Sequence, residues 1–424
     1  MSQHHAPLHK HNQRNIVIIG FVWPEPNSSA AGQNMVGLIN SFLKANWQVT
    51  FMSAATPSEQ GADLAQLGVH SEAISLNCSS FDERIAAIRP DVVIFDRFMT
   101  EEQFASRVRS ACPSAMRILN TEDLHSLRHL RHQQVRDGEA TEMATASVSN
   151  DYTLREIAAI LRSDLTLIIS SKELQHLLAH YPVTAAQLHH VPLFTSKIST
   201  PLPDFQQRQH FVFIGNFRHA PNWDAVLQLQ QIWPGIKKQL PHAELNIFGA
   251  YPPKKAMAMD NPSKGFRVRG WAASAEDEIA KHRVMLAPLR FGAGVKGKLV
   301  TAMQCGTPSV TSSIGAEGLG DDKHWPGMVT HNLDDFINAA VALYTDPNLW
   351  QQCSDTGQAS YKQQFDAALH GEKLTALVET RLDDLEQWRQ QQFLQSLLWH
   401  QTLRATQYMT QWIEAKNSNS PPSP

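Results

Sequence analysis

The residues best suited to chemistry lie in one stretch, Ala287-Pro288-Leu289-Arg290-Phe291-Gly292-Ala293-Gly294-Val295-Lys296-Gly297-Lys298. The apolar run Val284 to Ala287 before it reads as a strand, and Lys298 to Cys305 reads as a helix. Small residues there let the backbone approach a ligand, several N–H groups and a helix N-terminus point outward, and Lys296 and Lys298 add positive charge. The chemistry this suits is phosphate binding. Gly292, Gly294 and Gly297 fit the dinucleotide pattern G-x-G-x-x-G, with Glu317 beyond them. That fingerprint belongs on the first strand-to-helix turn of its domain, however, and this loop follows several strands. Gly292 to Lys298 also fits the form G-x-x-x-x-G-K, but Leu299 stands where Ser or Thr would hold Mg²⁺.

Further candidates lie in the first half of the chain. In Leu119-Asn120-Thr121-Glu122-Asp123-Leu124-His125-Ser126-Leu127-Arg128, ionisable side chains including Asp123 and His125 follow a predicted strand end. Asp96 ends another strand, where Asp commonly caps a helix. Ser28-Ser29-Ala30-Ala31-Gly32-Gln33 closes the loop after the first strand and opens a helix. Gly32 there reads as a ligand contact or as a small residue for close helix packing. His129, Arg131, His132 and Arg136 form a basic patch, either a solvated helix face or a contact for an anionic acceptor such as a lipid-linked phosphate.

These residues need a frame of strands and helices. Ile16 to Ile19, Val49 to Met52, Val92 to Phe95, Arg117 to Leu119 and Leu165 to Ile169 read as strands. Between the first two, Ala31, Met35, Leu38, Ile39 and Phe42 recur at helical spacing. Thr100 with Gln103, and Ser170 with Glu173, have the spacing of capping boxes. Four prolines between Pro182 and Pro203 mark a linker. A second series follows: His210 to Ile214 ending in Gly215, a helix from Asn222 to Gln239, strand Leu245 to Phe248, then the strand, loop and helix described above and a strand Ser309 to Thr311. The pattern predicts two doubly wound α/β domains facing a cleft lined by the loops beyond the strand ends. The expected divisions are a disordered tail 1–14, an N-terminal domain 15–196, a C-terminal domain 205–370, helices 371–416 packed on the two domains, and a disordered tail 417–424.

Lys and Arg number 37 against 40 Asp and Glu, a net charge of −3, so no global field draws the chain to nucleic acid. The tryptophans are scattered, with no aromatic stripe among basic residues, which also speaks against nucleic acid. Cys78, Cys112, Cys305 and Cys353 form no C-x-x-C pair and fit free thiols in a reducing compartment. No run of apolar residues is long enough to span a bilayer, which gives a cytoplasmic expectation with peripheral membrane association left open.

From His210 to Leu319 a series of ordered motifs resembles the donor domain of group 1 (family 4) glycosyltransferases. They are Phe-Ile-Gly-Asn-Phe-Arg-His-Ala-Pro-Asn at 213–222, Trp-Pro at 233–234, Leu-Ala-Pro-Leu-Arg-Phe-Gly-Ala-Gly-Val-Lys-Gly-Lys-Leu at 286–299, Ala-Met-Gln-Cys-Gly-Thr-Pro at 302–308 and Gly-Ala-Glu-Gly-Leu at 315–319. The resemblance implies a GT-B fold and metal-independent, retaining transfer of a sugar from a nucleotide-sugar to an acceptor hydroxyl, glycan, lipid-linked or protein. No cofactor is implied, because the nucleotide-sugar is a substrate. The family's usual setting is bacterial polysaccharide or glycolipid synthesis. By the same resemblance Gly215 leaves room for the donor diphosphate, which Lys296, Lys298, Arg218 and the amides around Gly294 bind. Gly32 approaches the diphosphate or acceptor, and Asp123 and His125 position the acceptor hydroxyl or take its proton. The chain departs from the family pattern at its two glutamates: Ala293 holds the place of the first and Thr301 that of the second, which bonds the ribose, and Glu317 is the candidate substitute. That departure keeps open a catalytically silent nucleotide-sugar-binding or scaffolding protein on the same frame. A dinucleotide-dependent oxidoreductase is the remaining alternative.

Overall fold

The structure is a computed structural model that describes residues 13–139, 150–195, 198, 200–319, 325–400, 408–410, 412 and 413. The first domain runs β1 (Asn15–Gly20), α1 (Ala30–Lys44), β2 (Gln48–Ser53), β3 (His70–Ala73), α2 (Ser79–Ile88), β4 (Val92–Asp96), α3 (Phe98–Ala111), β5 (Met116–Asn120), α4 (His125–Asp137), α5 (Asp151–Arg162), β6 (Leu165–Ile168), α6 (Ser171–His180) and β7 (Leu188–His190). The second runs β8 (Gln209–Ile214), α7 (Ala220–Gln239), β9 (Leu245–Phe248), α8 (Lys254–Met257), β10 (Phe266–Gly270), α9 (Ala275–Lys281), β11 (His282–Ala287), α10 (Gly297–Gln304), β12 (Ser309–Thr311), α11 (Ser313–Ala316), β13 (Gly327–Val329), α12 (Leu333–Thr345) and α13 (Pro347–Gln364). Helices α14 (Ala367–Asp383), α15 (Leu385–Gln391) and α16 (Phe393–His400) complete the described chain.

Both sheets are parallel and doubly wound, in the orders β3-β2-β1-β4-β5-β6-β7 and β10-β9-β8-β11-β12-β13. The unbroken apolar runs are explained by burial on both faces. In β1, Ile16 and Ile18 enter one core while Val17 and Ile19 enter the other. The chain order reverses at β1/β4 and at β8/β11, and in such sheets ligands sit beyond the strand ends at that reversal. The glycine loop follows β11 and the Gly215 turn follows β8, so both flank the reversal of the second sheet.

Several expectations change. Strand β7 lies inside the proline-rich stretch read as a linker, since Pro182 and Pro192 bracket the strand instead of interrupting it. Thr100 does not cap a helix: α3 begins at Phe98, Arg97 precedes it with a φ of 70°, and Thr100 is buried. Among the described residues the C-terminal helices pack on the first domain. Leu374, Val378 and Leu385 join a core of the first domain, α14 crosses α1, and α16 crosses α5. The terminal tails fall outside the described residues, apart from positions 13 and 14. Among the described residues no helix is long and apolar enough to cross a membrane.

Candidate functional site

Lys296 precedes α10, and its carbonyl accepts from Leu299 N at 2.8 Å, so its side chain leaves from the helix N-terminus. Its Nζ donates to Gly294 O at 2.7 Å. Lys298 Nζ donates to Asn222 Oδ1 and lies 4.8 Å from the centre of the Phe213 ring. Gly215 makes that arrangement fit, because a Cβ there would stand 2.6 Å from the Asn222 amide carbon. Burial pushes Lys298 down to about 7, with Lys296 adding to it. Burial also pushes Lys296 down to about 8, assisted by Arg131 and opposed by Glu317, Glu173 and Asp123. Two lysine side chains that feel each other's charge thus share a desolvated place, electrostatics that suit an anion.

Across the cleft, Asp123 follows β5 and is paired with Arg128 from the first turns of α4. Burial would raise its carboxyl, but Arg128, His125 and His219 hold it well below the usual range. His125 opens α4, and its Nδ1 lies 3.0 Å from Asp123 O. A carbonyl oxygen only accepts, so Nδ1 carries the proton in that contact and Nε2 keeps the lone pair. Burial pushes His125 down to about 4 despite Asp123, leaving the ring neutral at pH 7. The start of α4 is anchored by Glu156, which accepts from His125 N at 2.9 Å and Ser126 N at 3.0 Å. His219, which precedes α7, is likewise pushed down to about 3 by burial and by Arg128.

The glycine loop is wedged against the first domain. Gly294 has a φ of 63°, and a Cβ on it would stand 2.8 Å from Asp123 Cβ. Ala293 enters a core cluster of the first domain. Glu173 Oε1 accepts from Gly294 N at 2.7 Å and from Leu124 N at 2.9 Å, joining the two domains through one carboxylate. Arg131, 1% exposed, donates to Gly292 O at 2.7 Å and to both oxygens of Glu317 at 2.7 and 2.8 Å. At the far rim Tyr251 Oη donates to Glu25 at 2.9 Å, and Gln33 Nε2 to Glu276 at 2.8 Å. A Cβ on Gly297 would stand 2.3 Å from Ala30 Cβ, so the N-termini of α10 and α1 face each other.

The sequence candidates divide accordingly. Lys296, Lys298, Gly294, Asp123, His125 and the Gly215 turn converge on the cleft. Arg218 lies at its rim, 3.6 Å over the Tyr251 ring. Gly32 lies in the first turn of α1, and its missing side chain is explained by packing, since a Cβ there would meet Glu25 O at 2.3 Å. Thr301 is buried and its hydroxyl donates back to Gly297 O at 3.1 Å, so it turns away from the cleft. Glu317 is committed to Arg131. The basic patch divides: Arg131 is buried and His132 stacks on Phe291 with ring centres 4.5 Å apart, while Arg136 is exposed to solvent. Asp96 caps no helix; it is buried and accepts from Phe21 N at 3.1 Å. Glu173, Arg128 and His219 join the site without a sequence signal that marks them for it. Glu173 has cap spacing after Ser170, whose hydroxyl does accept from its N–H at 3.4 Å, yet its carboxylate points into the cleft instead of closing a capping box.

Residues 208–346 match the family described as Glycosyl transferases group 1, the stretch whose motifs carry the resemblance. Among curated proteins none matches the chain in sequence. Solved structures share the fold: sucrose-phosphate synthase of Thermosynechococcus elongatus (TM-score 0.62, 13% identity, 87% of this chain and 99% of that one) is one. Others are Anabaena HepE in complex with UDP-glucose (0.63, 11%, 86% and 99%) and TarM (0.65, 9%, 88% and 100%). The chain has the GT-B fold, two parallel-sheet domains with further helices at the C-terminus.

Proposed function

We propose that the protein is a retaining glycosyltransferase that moves a hexosyl group from a nucleoside-diphosphate sugar to an acceptor hydroxyl without a metal ion. The observation that carries this is the meeting of Lys296, Lys298 and the N-termini of α10 and α1 at the reversal point of the second sheet. The diphosphate lies between them, and as the glycosidic bond breaks the two ammonium groups stabilise the departing charge. The sugar then faces Asp123, whose ionised carboxylate favours the positive charge developing at the anomeric carbon. His125, neutral with Nε2 as its acceptor, orients the incoming hydroxyl or takes its proton. Attack from the face the diphosphate leaves retains configuration. The HepE structure with UDP-glucose makes UDP-sugars the first donors to try. We place the reaction in bacterial polysaccharide or glycolipid synthesis, in the cytoplasm or peripherally at the membrane's inner face.

A silent nucleotide-sugar-binding protein is the second reading, favoured by the Thr301 hydroxyl being turned into its own helix. One experiment separates them: thermal melting and slow donor hydrolysis across a panel of nucleotide-sugars, for the native chain and for Lys296→Ala with Lys298→Ala. Stabilisation and hydrolysis that both vanish in the double variant support transfer. Stabilisation without hydrolysis or transfer favours the binding protein, and a response to dinucleotides alone would overturn both.

A further inference from the structure

At the opposite end of the first sheet from the cleft, the end of α3, the start of β5 and the returning helices α15 and α16 border a cavity of about 580 Å³. Arg109, Arg117, Arg389 and His400 line it together with the Trp399 ring. Arg389 is fully engaged. It donates to the two oxygens of Asp164 at 2.9 and 2.6 Å and to the carbonyls of Pro113 and Ala115 at 2.7 and 2.6 Å. Asp164 in turn accepts from Gln395 Nε2 and from the Arg117 backbone N–H.

Arg117 is left short of acceptors. Its side chain is only 5% exposed, and among the described residues its Nε has no partner and its closest carboxylate oxygen, on Asp164, is 3.6 Å from Nη2. That distance is an ion pair, beyond hydrogen-bond reach. Its guanidinium stands 5.3 Å from the Trp399 ring centre, and that of exposed Arg109 stands 5.2 Å away. Arg162, also beside Trp399, is paired with Glu101. Four arginines therefore gather against two carboxylates, Glu101 and Asp164. Burial pushes Arg117 down to about 10, Asp164 opposes this, and Arg389 and Arg109 reinforce it. A buried guanidinium with idle donors is costly, and an anion in the cavity would relieve it.

We propose that this cavity binds a phosphate group, held by the forked donors of Arg117 from below and of Arg109 beside Trp399. Guanidinium geometry matches phosphate oxygens, and the volume admits a phosphate carried on a small organic group. Binding there fastens α16 to β5 and involves no residue of the cleft, so the assignment stands apart from the glycosyl-transfer reading.

The test uses the full chain carrying Lys296→Ala and Lys298→Ala, which removes the cleft lysines as competing phosphate ligands. It is titrated with inorganic phosphate and with glycerol phosphate at constant ionic strength, by calorimetry and thermal melting, with chloride as control. A parallel arm floats the same protein with phosphatidylcholine vesicles with or without phosphatidic acid. Saturable binding with a rise in melting temperature assigns the site to soluble phosphates, whereas capture only by phosphatidic acid vesicles assigns it to a lipid headgroup. In either case Arg109→Glu, at an exposed position, weakens binding about tenfold or more while leaving ligand-free melting unchanged. Arg117→Met, which keeps most of the side-chain volume, weakens binding likewise, whatever it does to ligand-free melting. Absence of binding in both arms overturns the proposal, as does binding that Arg109→Glu leaves intact.

Discussion

Donor affinity should collapse in the alkaline range, and the slope follows from the two lysines. In the free protein Lys298 titrates at about 7 and Lys296 at about 8, both lowered chiefly by burial, while a bound diphosphate restores both protons. Affinity then falls about tenfold per pH unit between the two values and about a hundredfold per unit above them, or about 500-fold from about pH 7 to about pH 9. Calorimetry with a nucleotide-sugar, whose diphosphate does not titrate in this range, measures it directly. Buffers of different ionisation enthalpy should report proton uptake approaching two per molecule bound at the upper end. Unfolding cannot mimic the effect. The folded lysines bind fewer protons than unfolded ones between their lowered values and the ordinary 10.5, so their contribution to stability rises with pH across the same window. Lys298→Arg, with a charge that does not titrate, should flatten the first step. An affinity that changes less than about threefold over this range, or binding without proton uptake, refutes the reasoning.

Glu317→Ala leaves the Arg131 guanidinium buried without its carboxylate and should cost about 3–5 kcal/mol in chemical denaturation, most of it recovered by adding Arg131→Met. Glu317→Gln removes the charge that opposes the lowering of Lys296, so alkaline loss of affinity should begin at lower pH in the same titration. Gly294→Ala adds a methyl in the left-handed region against Asp123. Beyond the roughly 1 kcal/mol of backbone strain, it should open the domain contact, read as a larger radius in solution scattering and lost turnover in a chain that still folds. Thr301→Glu supplies the carboxylate missing from that place and should raise donor affinity about tenfold, measured by calorimetry.

The parts of the fold visible in the sequence are those with a local cause. Central strands buried on both faces show as apolar runs, and Ser170 does cap its helix. The edge strands did not show. β3 is His-Ser-Glu-Ala and largely exposed, and β13 is three residues long, so neither has a periodicity to read. In the candidate site, the strand-loop-helix placement of 287–298 was legible because its glycines, lysines and flanking elements are contiguous. Its partners were not, since Arg131 and Glu317 are 186 residues apart and Glu173 and Gly294 are 121 apart. Nothing in the neighbourhood of Glu173 distinguishes a carboxylate that folds back on its own helix from one that crosses to another domain.

That long-range wiring gives the glycine loop two duties that depend on each other. In the proposed function its small residues admit a phosphate, and the same missing side chains at Gly294 and Gly297 let the loop seat against Asp123 and Ala30 of the other domain. The contacts that seat it are charged and lie beside the lysines: Arg131 lowers Lys296, while Glu317 and Glu173 raise it. Separating the domains would take Arg131, Glu173 and Asp123 away from Lys296 and admit water around both ammonium groups, so their readiness to lose protons belongs to the closed arrangement. Where both lysines carry their protons, an anion binds most strongly where burial is greatest, and its binding energy is available to hold the domains together. On the proposed function, closure and diphosphate recognition are in this sense one equilibrium, with the loop as the element both of them bias.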